Sequence, residues 1–251
     1  MGIEKLTELE IITGICETIF VTVSLITGIK MLLQYFKYEE KTLLTIALTW
    51  IFLSGAWWPG MLSFWLFIFT NRPLNLVVYL LFNTGFPPLA VMCWIYTISN
   101  LLYRKRRKLL IAIFFTICII YEVLLIIFIF TIPDIVGKFT ETYILTAQPY
   151  ALIFQLFAIG LTLITGIHFA MQSLKSDMPT IRLKARFLLL AFISLAIGIL
   201  ESIYRSIFVQ EVTLTTLIVV IIFRFFLISS CIEYYFGFFL SENLAKKLIK
   251  K

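Results

Sequence analysis

The chain has 251 residues, of which 61% are hydrophobic and only 14% are charged, and its mean hydropathy is +1.01. This composition excludes a water-soluble globular domain, because folding could not remove so much apolar surface from water. The formal net charge is +7, but the basic residues follow a membrane-topology pattern, so we expect no nucleic-acid partner. The length leaves room for about seven membrane-spanning helices with short loops. The sequence therefore predicts a single all-α domain, a polytopic bundle in the cell membrane surrounded by lipid.

Seven apolar stretches follow one another along the chain, and each is long enough as a helix to cross a hydrocarbon core of about 30 Å. Two of them contain helix-breaking residues. Pro59 predicts a kink in the second stretch, and the segment 83–88, which contains Pro87 and Pro88, predicts an interruption of the third. The predicted spans are residues 9–36, 42–70, 74–103, 109–132, 147–174, 187–208 and 212–240.

The basic residues are distributed unequally between the two sets of loops. Sixteen of the 21 lysines and arginines fall in alternate connections and the tail, including 104–108 and 175–186, and only Lys5, Arg72 and Lys138 fall on the other side. Cytoplasmic loops carry the excess of basic residues in membrane proteins. The pattern predicts an external amino terminus and a cytoplasmic carboxyl terminus. The 104–108 run is also suited to contact with anionic lipid headgroups.

The second span is rich in tryptophan. It carries four of the five tryptophans and no charged residue, and several of its rings recur at helical spacing on one face. A kinked helix lined with such rings forms a concave wall. Two interpretations are open: the rings pack against neighbouring helices, or they line a ligand pocket. The predicted ligand-binding residues are Trp50, Trp57, Trp58, Asn83 and Trp94.

Charged residues occur inside several of the predicted spans. Each costs about 2.5–3.5 kcal/mol at the bilayer centre, so we expect these side chains to face the bundle interior and to find partners. Glu201 and Arg205 are one helical turn apart and can pair, and we expect Arg224 to pair with Glu122 or Glu17. All three glutamates lie roughly 12–14 Å from the outer ends of their helices. The predicted intramembrane charge network comprises Glu17, Glu122, Glu201, Arg205 and Arg224.

His168 and Glu233 lie at similar depth near the cytoplasmic ends of their spans. They are candidates for a pH-sensitive pair, since histidine titrates near neutrality. Alternatively, His168 lies at the headgroup level beside Tyr234 and Tyr235.

Motifs for catalysis or cofactor binding are missing from the sequence. The one histidine has no accompanying ligand cluster, and the four cysteines lie in apolar runs without a Cys-x-x-Cys spacing. No phosphate-binding glycine loop or hydrolase signature occurs. We therefore expect neither an enzyme nor a bound metal or cofactor.

The predicted helix count and topology resemble those of several seven-helix families. The seventh span has no lysine, which the rhodopsins need for retinal, and residues 100–104 do not match the Asp-Arg-Tyr signature of G-protein-coupled receptors. The chain is similar in topology and loop character to the amino-terminal seven-helix sensor regions of membrane histidine kinases, and to a group of uncharacterised archaeal seven-helix proteins. This resemblance implies a sensor. Because the sequence stops 11 residues after the seventh predicted span, we expect it to signal through a separate cytoplasmic or membrane partner.

The leading hypothesis is therefore a seven-helix sensor or receptor-like protein that binds a small, partly apolar ligand within the bundle. The alternative is a transporter or channel-like protein whose polar path is lined by the intramembrane carboxylates and Arg224. A third possibility is an assembly subunit that uses its tryptophan face to bind another membrane protein.

Overall fold

The computed structural model of the chain is a bundle of helices. It describes residues 2–208 and 213–240 together with Ala245 and Lys247, and within 201–208 it describes the side chains of Glu201 and Tyr204 only. The helices are α1 (Glu8–Tyr38), α2 (Lys41–Gly55), α3 (Trp58–Thr70), α4 (Leu76–Leu101), α5 (Arg107–Thr131), α6 (Pro149–Leu174), α7 (Pro179–Phe208) and α8 (Leu214–Phe239).

Six of the described helices are long and apolar enough to cross a membrane, and α2 and α3 pass the same test together as a pair bent by 45°. The all-α class is thus confirmed, and six to seven helices of this kind are compatible with the predicted multi-pass membrane protein. The predicted span limits agree with the helices to within two residues at every described end but one. The exception is α7, which begins at Pro179 rather than at residue 187. Proline is favoured in the first turn of a helix, where its missing N–H costs nothing.

The bend between α2 and α3 confirms the predicted kink. Helix α2 ends at Gly55, and α3 begins at Trp58 with Pro59 in its first turn. Pro59 cannot donate to the carbonyl one turn before it, so the hydrogen-bond ladder stops there. The amide of Asn83 on α4 compensates, because its Nδ2 donates to the carbonyl of Ala56 at 2.7 Å.

The bent pair runs from one end of the bundle to the other. Gly2, just before α1, lies directly against the backbone of Phe67 and Ile68 near the end of α3. Since α2 begins only three residues after α1 ends, the α2–α3 pair runs antiparallel to α1 over its whole length.

The predicted interruption of the third span is wrong. Helix α4 continues through Pro87 and Pro88. The two prolines remove only the hydrogen bonds to the carbonyls of Asn83 and Thr84, and packing against α2, α5 and α6 holds the remaining turns in place.

The connection between α5 and α6 contains a hairpin that the sequence analysis did not anticipate. Strand β1 (Gly137–Phe139) pairs antiparallel with β2 (Leu145–Ala147). The hairpin contacts the start of α1, where the N–H of Thr142 donates to Glu10 Oε1 at 2.7 Å. We call this end of the bundle the hairpin end, and the opposite end, which carries residues 104–108, the basic end.

The helices form a ring with α5 outside it. Around the ring α1 packs on α2, α2 on α4, α4 on α6, α6 on α7, α7 on α8 and α8 on α1. Helix α5 packs on α4 and reaches α6 through stacked rings, with the centroids of Tyr121 and Phe154 3.9 Å apart. The ring encloses a central space, and the outer face of α5 is left exposed.

Candidate functional site

A cavity occupies the centre of the ring of helices. It contains about 1290 Å³ of empty space, counting its mouth, and its wall is formed by all six ring helices, the α2–α3 bend and the hairpin. Three of the five predicted ligand-binding residues line it: Trp57, Asn83 and Trp94. The wall is mainly apolar and aromatic with a few polar groups, which is the usual character of a small-molecule site.

The other two predicted ligand-binding residues lie behind the wall. Trp50 stacks on Tyr234, with ring centroids 4.5 Å apart, and Trp58 packs against Phe86 at 5.4 Å. In the structure Trp50 and Trp58 thus pack against neighbouring helices and do not line the cavity. Trp50 shares the helical spacing of Trp57, and the bend decides which of these two rings reaches the cavity.

Three charged side chains from three helices meet at the cavity wall. Arg224 on α8 lies between Glu17 on α1 and Glu201 on α7, with Nη2 3.0 Å from Glu17 Oε1 and Nε 2.9 Å from Glu201 Oε2. All three line the cavity, yet the Arg224 side chain is only 2% exposed. Opposite charges at this distance offset the cost of removing each from water. We call this group the buried triad.

The first turn of α3 completes the setting of the triad. A carboxylate oxygen of Glu17 lies so close to the place of a Cβ on Gly60 that any larger residue would require the carboxylate to move. The turn has no side-chain cap, and its N–H groups give the start of a helix a partial positive charge. The bend thus brings a favourable dipole to the Glu17 carboxylate.

The structure pairs Arg224 with one of its two predicted partners and with a further glutamate that the sequence analysis did not predict. Of the two predicted partners it selects Glu17, while Glu122 lies on α5 in a separate groove. Glu201 also pairs with Arg224, and the similar depth of Glu17 and Glu201 was the available signal. The side chain of Arg205, the predicted partner of Glu201, lies outside the described residues.

His168 and Glu233 do not form the predicted pair. His168 Nε2 lies 2.7 Å from Gln172 Nε2, one turn along α6, and Glu233 Oε1 accepts from Ser229 Oγ at 2.8 Å, one turn back on α8. Each side chain is thus engaged by a partner on its own helix.

The hairpin forms part of the cavity wall at the hairpin end. Tyr143, Ile144 and Leu145 contribute to the wall. The Tyr143 hydroxyl donates to the carbonyl of Glu10, and burial, with the charges of Glu17 and Glu10 nearby, raises the pKa of Tyr143. The hydroxyl therefore stays protonated and remains a donor.

Buried aromatic rings bound the cavity toward the basic end. Trp94 and Phe192 line it with centroids 5.3 Å apart, and Tyr234 packs edge-on behind Phe192 at 6.3 Å. Trp50 stacks behind Tyr234, and none of the four is more than 2% exposed. We call Trp50, Trp94, Phe192 and Tyr234 the aromatic layer. The cavity is therefore a chamber that ends within the bundle on the side toward the basic end.

Comparison with known proteins gives no relative: no protein-family model, curated protein or solved structure matches the chain. Within the described part of the chain, no group of three or more histidine, cysteine, aspartate or glutamate side chains is placed to hold a metal ion.

Proposed function

We propose that the chain is a seven-helix sensor or receptor-like membrane protein that holds a small, partly apolar ligand in its central cavity. The observation that carries the proposal is the form of the cavity. Aromatic and aliphatic side chains make most of the wall, and a few polar groups such as Asn83 and the buried triad converge on it. The hairpin and the aromatic layer bound it at either end, which suits retention of a ligand better than passage.

The proposal includes seven crossings in the cell membrane, with the hairpin end outside. The α2–α3 pair counts as one crossing, since a bend of 45° turns a helix without reversing it and the end of α3 lies beside Gly2. The basic residues at 104–108 then lie in the cytoplasm, as the positive-inside rule requires.

The triad gives the ligand a means of changing the bundle. It joins α1, α7 and α8 at the cavity wall and contacts the first turn of α3. A ligand that touches the triad better in one helix arrangement than in another shifts the population between them. We propose that a separate membrane or cytoplasmic partner detects that shift, and that the chain itself catalyses no reaction.

A ligand screen on the purified protein in lipid nanodiscs tests the proposal. Amphipathic small molecules are added during thermal unfolding, and each hit is repeated on Ala196→Phe, which fills the cavity, and on Ala112→Phe, the same change on the exposed side of α5. A ligand at about 100 times its Kd stabilises the folded state by about 2.7 kcal/mol. Native protein and A112F should respond and A196F should not.

Equal responses from A196F and the native protein would contradict the cavity as the site.

The transport alternative is supported by one observation, the buried charges at the cavity wall. It predicts that protein reconstituted in liposomes carries the hit compound or an ion across the bilayer, and that Arg224→Met abolishes this flux. Flux of that kind would replace the sensor proposal.

A further inference from the structure

Among the predicted charge-network members whose side chains the structure describes, Glu122 on α5 is the one that lies outside the ring. It lies nine residues before the end of α5 at Thr131, about 14 Å along the helix axis. Its neighbours Ile119, Val123 and Ile126 are each about half exposed, which in a membrane means contact with lipid. A carboxyl group therefore stands near mid-membrane on the lipid-facing side of the molecule.

The Glu122 side chain lies in a shallow groove between α4 and α5. Gly85 forms the floor next to it, and a Cβ added there would lie 3.8 Å from Glu122 Oε2. The other residues of the groove are apolar. They are Leu81, Phe82, Phe86 and Leu89.

Nothing in the described part of the chain neutralises this carboxyl group. No described lysine, arginine or histidine lies within 4 Å of it, and its buried Oε1 accepts no hydrogen bond from a described residue. Arg224 is held by Glu17 and Glu201 inside the ring. A charged group at this depth costs about 2.5–3.5 kcal/mol when it has no partner.

We infer that the α4–α5 groove docks a transmembrane helix of a different protein, and that an arginine or lysine in the middle of that helix pairs with Glu122. Both the charge and the shape of the groove suit such a helix. A cation opposite Glu122 offsets the cost of the buried carboxylate, and the missing side chain at Gly85 lets another helix approach closely, as small residues do at helix interfaces in membranes.

Other occupants fit the groove less well. A second copy of this chain, docked by the same surface about a two-fold axis, would bring Glu122 toward Glu122 and repel. A lipid ammonium group stays at the headgroup level, about 14 Å along α5 from Glu122. A helix with a central cation matches both the depth and the open, elongated form of the site.

The inference deepens the proposed function by naming the class of partner, and it rests on that function only for the claim that the docked protein receives a signal.

The test uses the full chain in phosphatidylcholine bilayers, labelled with a fluorescence donor on a cysteine introduced at exposed Lys138. The probe is a synthetic leucine–alanine transmembrane helix with one central arginine and an acceptor dye. Matched probes carry leucine or glutamate at the same place.

Energy transfer should show the arginine helix binding the native chain about tenfold more tightly than the leucine helix, the range for a polar contact between membrane helices. Glu122→Leu should abolish the preference, and Glu122→Lys should transfer it to the glutamate helix. Gly85→Leu should weaken binding although the carboxyl group remains. Because Glu122 makes no described contact that holds the fold, E122L should unfold no earlier than the native chain.

A double variant checks that the groove, and not any carboxyl on α5, is responsible. Glu122→Leu with Ile120→Glu moves the group from the groove to an exposed position on the same helix and should not restore binding. Restored binding, or equal affinity of the arginine and leucine helices for the native chain, would overturn the inference. The inference would also be overturned if dodecylamine stabilised the native chain but not E122L and the native chain showed no preference for the arginine helix. The occupant of the groove would then be a hydrophobic amine.

The cavity and groove tests fail separately. If the native chain shows no preference for the arginine helix but binds a ligand that A196F does not bind, only the partner inference fails. If the arginine helix binds but no cavity ligand is found, only the sensor proposal fails.

Discussion

At the scale of single residues, the buried triad shows how a membrane interior selects its charges. Arg224 satisfies two carboxylates from two other helices at about the distance of a hydrogen bond. Glu17 reaches it only because Gly60 has no side chain. The pairing therefore depends on an arginine, two glutamates and a glycine that lie far apart in the sequence.

Replacing Arg224 by methionine should destabilise the protein strongly. The change leaves Glu17 and Glu201 close together in a low-dielectric interior without their cation, and breaking a buried pair in this way costs about 3–5 kcal/mol. Thermal or detergent-induced unfolding in nanodiscs measures the loss. The triple variant with Glu17→Gln and Glu201→Gln added should recover most of it, and unchanged unfolding of R224M would contradict the triad.

Replacing Gly60 by alanine should also lower stability. Its Cβ would overlap the Glu17 carboxylate, and overpacking of this kind costs about 1–3 kcal/mol. Gly160→Ala is the matched control, because no atom lies within 4 Å of a Cβ at that glycine, and it should be neutral or slightly stabilising in the same unfolding assay. If Glu17→Asp in the G60A background failed to restore any stability, the clash would not be the cause.

At the scale of elements, the bend of α2–α3 is the feature that creates the cavity wall. It follows from Pro59, and it survives in an apolar setting because Asn83 donates to the carbonyl that the bend exposes. The prolines of α4 have a smaller effect, since α4 stays helical through both. The outcome of a proline in a membrane helix thus depends on whether neighbouring helices hold its turns in line.

Asn83→Leu should reduce stability by about 1–3 kcal/mol, because the buried carbonyl of Ala56 would lose its donor. Asn100→Leu on the same helix provides the control, since the Asn100 side chain makes no described hydrogen bond. Hydrogen exchange should show faster opening at residues 54–61 in N83L alone. Equal exchange in both variants would mean that the amide does not support the bend.

At the scale of the whole molecule, a ring of six helices encloses the chamber while α5 stands outside with its carboxyl group toward lipid. One architecture thus provides two separate surfaces, an internal one suited to a ligand and an external one suited to another helix. The direction of the chain through this ring determines which loops share a side of the membrane.

Cysteines introduced at Glu40 and Arg72 should react with a membrane-impermeant reagent from opposite sides of the bilayer. These residues flank the α2–α3 pair, and the proposed single crossing would separate them. In the proposed topology, Arg106 and Lys138 serve as reference positions for the cytoplasmic and external sides. Labelling of positions 40 and 72 from the same side would show that the pair is re-entrant, and the seven-crossing proposal would fail.

The sequence by itself determined the class of the protein and the limits of its helices. Hydrophobicity over 20 or more residues is a local property, so the ends of nearly all spans could be read to within two residues, and Pro59 marked the kink because a missing N–H is also local. The start of α7 and the course of α4 through two prolines could not be read in this way, since packing by neighbouring helices outweighs the local preference there.

Only the tertiary structure decided which residues meet. The order of helices around the ring put Glu17 and Glu201 on Arg224, sent Glu122 outward and kept His168 from Glu233. It also turned Trp57 into the cavity and Trp50 behind it. Helices with similar depth and similar apolar faces have many possible neighbours, and the free energy that selects among them comes from side-chain contacts between segments up to 207 residues apart.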